Sequence, residues 1–349
     1  MICALPDWFH RGFSLRAKWV PFFLGMINPA VAHASPLQYL SGAGDKAVPV
    51  VWLTWGLLAI SLAVIAVVSL LLVGAVWRRP GQNWTLGAQI ALQPHQDGLN
   101  WLWIGVGIST LVLLISVIWT VKVLAQIQAP NAKPSVTIEI TGKQWWWQVR
   151  YLSDDLSRSF TTANEIHMPI GVPIRLKLIG GDVIHSFWVP QLAGKMDAIP
   201  GQTNETWIEA AAPGTYNGQC TEYCGLQHAH MGVVVVAQSR TDFRNWWNDQ
   251  LRAPRSLQGA ALSGQVEFLV HCGSCHTIRG TEAAGAQGPD LSHLMGRATI
   301  AAASFPNDGQ TLAHWIADPQ SLKPGSLMPA PAVSQADLAS INNYLHTLD

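Results

Sequence analysis

The chain has 349 residues with 21 basic and 21 acidic side chains, a formal net charge of zero, and 12% of its residues are charged against 49% hydrophobic. A neutral chain this apolar offers no basic surface for nucleic acid, and it contains no glycine-rich phosphate loop, repeat or low-complexity tract. Its length instead allows several modules, and its five cysteines are few enough to be accounted for one by one.

Residues 1–34 carry Arg11, Arg16 and Lys18 ahead of an apolar stretch from Trp19, and end in Ala32-His33-Ala34. That is the layout of a signal peptide, with cleavage expected before Ser35, since the apolar run is too short to span a bilayer. Cleavage removes Cys3, the odd cysteine.

Two uncharged stretches come next, Ala47 to Trp77 and Leu99 to Val121, each long enough for a hydrocarbon layer of ~30 Å. They predict a transmembrane hairpin within residues 35–129, with helices at about 48–77 and 99–124. Arg78 and Arg79 in the connection put it in the cytoplasm and both chain ends outside. Trp52, Trp55, Trp77, Trp101, Trp103 and Trp119 fall near the helix ends, where an interfacial aromatic belt is expected.

After Lys122 the pattern changes to short β-branched runs: Val136–Ile140, Ile174–Leu178, Thr206–Glu209 and Val233–Val236. Their alternation and intervening turn residues argue a β-sandwich over residues 130–247. Gln144-Trp145-Trp146-Trp147-Gln148 is expected on a strand, with Trp145 and Trp147 on one face and Trp146 on the other. His167 and His95 have no partner nearby in sequence and read as ordinary histidines.

Late in that region stand Cys220, Cys224, His228 and Met231, with His185 upstream on a neighbouring strand. Thiolate, imidazole and thioether together are what copper selects, and two cysteines four apart can bridge two coppers. A fixed cage without an open position suits an electron carrier, whereas a disulfide, the plain alternative for C-x-x-x-C in an exported protein, explains neither the histidines nor the methionine.

Asn248 to Gln258 is polar and proline-bearing, a linker expected to hold the flanking modules at effectively ~millimolar mutual concentration. Beyond it, Cys272-Gly-Ser-Cys275-His276 is the covalent attachment signature of c-type haem. His276 is then the proximal iron ligand. Met328, in a loop stiffened by Pro324, Gly325 and Pro329, is the expected distal ligand, and Met295, lacking such turn chemistry, reads as core packing. No second C-x-x-C exists to complete a zinc site. Ser334-Gln-Ala-Asp337 starts a closing helix.

On these residues the chain resembles subunit II of cytochrome c oxidase, the haem-copper oxidase subunit bearing the binuclear CuA centre, with a fused class I cytochrome c domain at residues 259–349. The runs that carry the likeness are Asp182-Val-Ile-His185-Ser-Phe-Trp-Val-Pro190, Lys195-Met-Asp-Ala-Ile-Pro-Gly201 and Gly218 to Met231. The resemblance implies a two-helix membrane hairpin, an all-β cupredoxin-like Greek-key sandwich and a small all-α cytochrome c domain. It implies that Cys220 and Cys224 bridge both coppers, that His185 and Met231 complete one, and that His228 with the backbone carbonyl of Glu222 completes the other. By the same spacing His228 is preferred to His230. The Glu222 side chain would face the catalytic subunit at a magnesium or manganese site, Trp145 would be where electrons enter, and the Pro289 carbonyl would accept the proximal histidine's other N–H.

The likeness further implies a subunit with no catalytic residue of its own, part of a proton-translocating oxidoreductase complex. Electrons would pass from an external donor, a cytochrome c or a quinol–cytochrome c reductase, to haem c, to CuA and to the haem of subunit I, where oxygen is reduced to water. Subunit III is a further expected partner, and the expected location is the bacterial inner membrane, with both redox domains on the periplasmic side. The family's glutamate ahead of the second membrane helix is Asn100 here, which cannot ionise; Asp97 and His95 are its neighbours. The alternatives are the same module in a nitric oxide reductase and a membrane-anchored copper carrier.

Overall fold

The computed structural model describes residues 37–78, 96–252 and 257–349. The expected signal peptide with Cys3, the connection beyond Arg78, and His95 lie outside these residues, as does the Asp97 side chain.

Two long apolar helices come first: α1 (Val48–Trp77, 30 residues) and α2 (Gln96–Gln128, 33 residues). Proline stands in the first turn of α1, where its missing N–H costs no hydrogen bond. At about 1.5 Å per residue either helix exceeds a ~30 Å hydrocarbon core, and α1 has no residue buried in protein. Trp52, Trp77, Trp101 and Trp103 are exposed, whereas Trp119 lies over Gly56, where the missing side chain lets α1 and α2 approach. Trp119 therefore packs one helix on the other as well as lying near a helix end. Both helices are long and apolar enough to cross a membrane. The pair meets the next domain at Trp207, whose indole N–H donates to the Ile127 carbonyl at 3.1 Å.

The next domain is a sandwich of two five-stranded sheets. The strands are β1 (Val136–Lys143), β2 (Trp146–Leu152), β3 (Phe160–Ala163), β4 (Glu165–Pro169), β5 (Ile174–Gly180), β6 (His185–Trp188), β7 (Met196–Ala198), β8 (Asn204–Ile208), β9 (Gly214–Cys220) and β10 (Gly232–Gln238). One sheet runs β3-β2-β1-β5-β8 and the other β4-β10-β9-β6-β7, with β1 parallel to β5 and β4 parallel to β10. Alternate residues Ile138 and Ile140 of β1 and Ile174, Leu176 and Leu178 of β5 are fully buried, as a two-residue period requires of strands with one face on the core. This is the cupredoxin-like Greek key. Gln144 and Trp145 form the turn between β1 and β2, so the expectation that Trp145 lies on a strand is corrected: the pairing of Lys143 with Trp146 leaves those two residues to reverse the chain.

Helix α3 (Arg240–Gln250) closes the sandwich, capped by Ser239, whose hydroxyl accepts from the Asp242 N–H at 3.1 Å. It takes in Asn248, Asp249 and Gln250, residues assigned above to the linker. The last domain has α4 (Ala260–His271), a small ribbon of β11 (Thr299–Ile300) and β12 (Phe305–Pro306), α5 (Gly309–Ala317), α6 (Pro319–Leu322) and α7 (Gln335–Leu345). Its separate core holds Phe268, Leu294, Leu312, Ile316, Ile341 and Tyr344. Ser334 caps α7 by accepting from the Asp337 N–H at 3.2 Å.

Candidate copper and haem centres

Sheet pairing gathers the copper candidates. In β6, antiparallel to β9, Phe187 faces Cys220, which sets His185 beside the start of the loop joining β9 to β10. The Cys220 N–H donates to the Met231 carbonyl at 2.9 Å and closes that loop on itself. The Cys220 and Cys224 sulfurs stand 3.8 Å apart, both thiols free and far beyond the ~2.05 Å of a disulfide. Around them lie His185 Nδ1 at 3.9 Å and the Glu222 carbonyl at 3.4 Å from Cys220 Sγ, and His228 Nδ1 at 3.5 Å and Met231 Sδ at 3.8 Å from Cys224 Sγ. The neighbouring His230 turns away, its Nδ1 2.8 Å from Gln227 Oε1.

The electrostatics of this cluster arise from two sulfurs buried side by side. Burial and the neighbouring Cys220 push the Cys224 thiol up to about 12. For Cys220 burial also works against ionisation, but hydrogen bonds centred on His185 outweigh it and hold the thiol below its ordinary value. Without a cation the two buried sulfurs resist ionising together, and a bound metal cation would allow both to ionise. Soft sulfur and imidazole donors of this number fit copper.

Sequence reasoning passed over the residues that orient the ligands. Asp182 Oδ1 lies 2.7 Å from His185 Nε2, which leaves Nδ1 to face the sulfurs, and the same carboxylate accepts from the Gln144 and Val183 N–H groups. The available signal was a carboxylate three residues before a ligating histidine. Gln144 Nε2 and the Trp145 indole N–H both donate to the Cys224 carbonyl, at 2.7 and 3.0 Å.

In the last domain, Cys272, Cys275, His276 and Met328 line one cavity of about 500 Å³. His276 Nδ1 lies 2.8 Å from the Pro289 carbonyl, so Nε2 remains for a metal. Met295 is not among the cavity's lining residues; it packs on the domain core and its N–H donates to the Leu348 carbonyl at 2.8 Å. Arg297 brings to the cavity wall a buried guanidinium whose Nε has no protein partner among the described residues, a fit for an anionic substituent. Volume, covalent attachment points and axial candidates suit a haem.

The cavity is not closed by its own domain alone. Lys143, Trp145, Trp146 and Asp182 of the sandwich form part of its wall. Trp146 packs with Ala163 and Ala302, one residue from each domain, while Trp147 points into the sandwich core, edge-on to His185 and Phe187. Trp145 thus lines the haem cavity and also hydrogen-bonds a copper-loop carbonyl through its indole N–H.

Comparison with known proteins agrees with both halves. Residues 150–238 match the family described as cytochrome C oxidase subunit II, periplasmic domain, and residues 261–349 match cytochrome c. The cytochrome c oxidase subunit 2 of Alkalihalophilus pseudofirmus is 32% identical over 303 residues, 83% of this chain and 85% of that protein. That of Bacillus sp. strain PS3 is 27% identical over 78% of this chain and 79% of its own length. Among solved structures, the periplasmic domain of subunit II of cytochrome oxidase from Bradyrhizobium japonicum is 34% identical, covering 35% of this chain and 96% of that domain, with a TM-score of 0.32. These matches favour neither the nitric oxide reductase module nor the copper carrier. The chain belongs to the cytochrome c oxidase subunit II family: it is the electron-input subunit of a haem-copper oxidase, associates with the catalytic subunit I, and has a copper-binding periplasmic domain and its own cytochrome c domain with haem c.

Proposed function

We propose that the copper site is the binuclear CuA centre, held by His185, Cys220, the Glu222 carbonyl, Cys224, His228 and Met231. The observation that carries this reading is the convergence of two thiols, two imidazole Nδ1 atoms, a thioether and a carbonyl within 3.9 Å of one or other sulfur. His276 and Met328 are the axial haem ligands, and Cys272 and Cys275 the covalent anchors. Copper pair and haem, once bound, supply one-electron redox couples and nothing else. The protein's part is to hold their ligands still, so that little reorganises when charge moves, and to exclude water from the sulfurs.

Trp145, an aromatic residue that lines the haem cavity and, like its neighbour Gln144, hydrogen-bonds the Cys224 carbonyl, is where electrons enter the copper domain. The electron donor is a cytochrome c or a quinol–cytochrome c reductase, subunit III is a further partner, and the Glu222 side chain contributes to a magnesium or manganese site facing subunit I. The membrane is the bacterial inner membrane, reached through the signal peptide. Proton admission does not run through a carboxylate at position 100, which is asparagine.

The test is an optical and electron paramagnetic resonance spectrum of the purified full chain. A low-spin c-type haem together with the near-infrared band of a mixed-valence copper pair is expected; absence of that band after copper loading refutes the copper assignment. Trp145→Phe keeps an aromatic ring but loses the N–H donor, and is expected to slow haem-to-copper transfer about tenfold with both spectra intact.

A further inference from the structure

Lys323 belongs to the haem domain, directly after α6 and ahead of Met328, yet it is only 4% exposed. Its ammonium donates to three backbone carbonyls: His230 at 2.8 Å, Ala301 at 3.0 Å and Trp145 at 3.4 Å. An ammonium has three N–H donors and no acceptor, so these three carbonyls saturate it. Two of them lie across the seam in the sandwich. His230 precedes the copper candidate Met231, and Trp145 is the turn residue shared by the haem cavity and the copper loop. Next to Lys323, the Pro324 carbonyl accepts from Gln227 Nε2, the side chain just before His228.

The third carbonyl sits in an unusual turn. Ala301, Ala302 and Ala303 all have positive φ, at 52°, 59° and 58°. Three consecutive non-glycine residues in the left-handed region are costly and persist only where neighbours hold them. Here the neighbours are in the other domain: the Gly232 N–H donates to the Ala302 carbonyl at 3.0 Å, Ser304 Oγ to the His230 carbonyl at 3.3 Å, and Trp146 packs on Ala302. A second strut lies further along the seam, where the Ala298 N–H donates to Glu165 Oε2 at 3.0 Å.

Burying an ammonium is a poor way to gain stability; an apolar chain of similar length in the same place is often neutral or better. Burial does lower its pKa, to about 8, which leaves it charged at neutral pH. What three divergent donors supply that a methionine cannot is direction, hence a single register between the two domains. We propose that Lys323 is the positioning residue that fixes the haem cavity against Trp145 and the copper loop, so that haem and copper exchange electrons in one docked geometry and not by repeated encounters of tethered domains. The proposal rests on the CuA and haem c reading given above.

The experiment compares the full-length chain with Lys323→Met and with a chain carrying a Gly-Ser insertion between Ala253 and Pro254, alone and combined. Three quantities are read: the haem and copper spectra, the rate of haem-to-copper transfer after flash reduction, and amide exchange at Gly232 and Ala298, whose N–H groups cross the seam. With Lys323 present, lengthening the tether is expected to leave the rate unchanged. In Lys323→Met the spectra persist, the two amides lose protection, the rate falls about tenfold or more, and tether length now slows it further, as an effective concentration does. Wild-type transfer and protected amides in Lys323→Met overturn the proposal, and so does a slower rate in the lengthened chain that keeps Lys323. Should Lys323→Met fail to assemble its centres, the lengthened chain with Lys323 decides alone. A missing copper band in the unaltered chain counts against the functional reading, while the amide measurement still tests the latch.

Discussion

Two of the candidate histidine ligands, His185 and His276, lie flat against a glycine. A Cβ added at Gly142 would stand 2.7 Å from His185 Cδ2, and one added at Gly288 would stand 2.5 Å from His276 Cε1. Both contacts are closer than carbon atoms approach, so the ring must move. Gly142→Ala is expected to abolish the near-infrared copper band while leaving the haem spectrum unchanged. Gly288→Ala is expected to break the bond from His276 to Pro289 and shift the haem toward high spin, with the copper signal intact. Asp182→Ala, which frees His185 to rotate, is expected to weaken copper binding about 10–100-fold in a copper titration. At this scale the candidate ligands stood out because the Cys220–Met231 loop is local in sequence and its donor types are few. Gly142, Gln144 and Asp182 were not, because they reach the site only through the pairing of β1 with β5, where Gly142 faces Gly180.

Elements were legible where a period ran long enough to be unambiguous. The runs of β1, β5, β8 and β10 alternate or are β-branched, and the structure places strands on all four. The strands β6 and β7, four and three residues long, carry no period that could be counted. Three consecutive tryptophans carry none either, and the turn at Gln144 and Trp145 was invisible for that reason. Helix α3 did have a signal: Ser239 with Asp242 three residues later is the same capping pattern read correctly at Ser334 and Asp337. Replacing Ser334 by alanine removes that cap and is expected to destabilise the haem domain by about 1 kcal/mol, measured by thermal unfolding followed at the haem band.

Over the whole molecule, the sequence divides cleanly into anchor, sandwich and haem domain because each has its own composition, whereas nothing in it announced that the latter two share a wall. Tethering alone suggests two bodies that meet and part. The seam built from Lys323, Ala298, Trp146 and Gln227 is instead hydrogen-bonded at several points along its length. The shared cavity wall carries a consequence for biogenesis. Lys143, Trp145 and Trp146 of the sandwich cover part of the pocket that Cys272 and Cys275 line. A haem entering before the two domains close therefore meets a more open pocket than one entering afterwards.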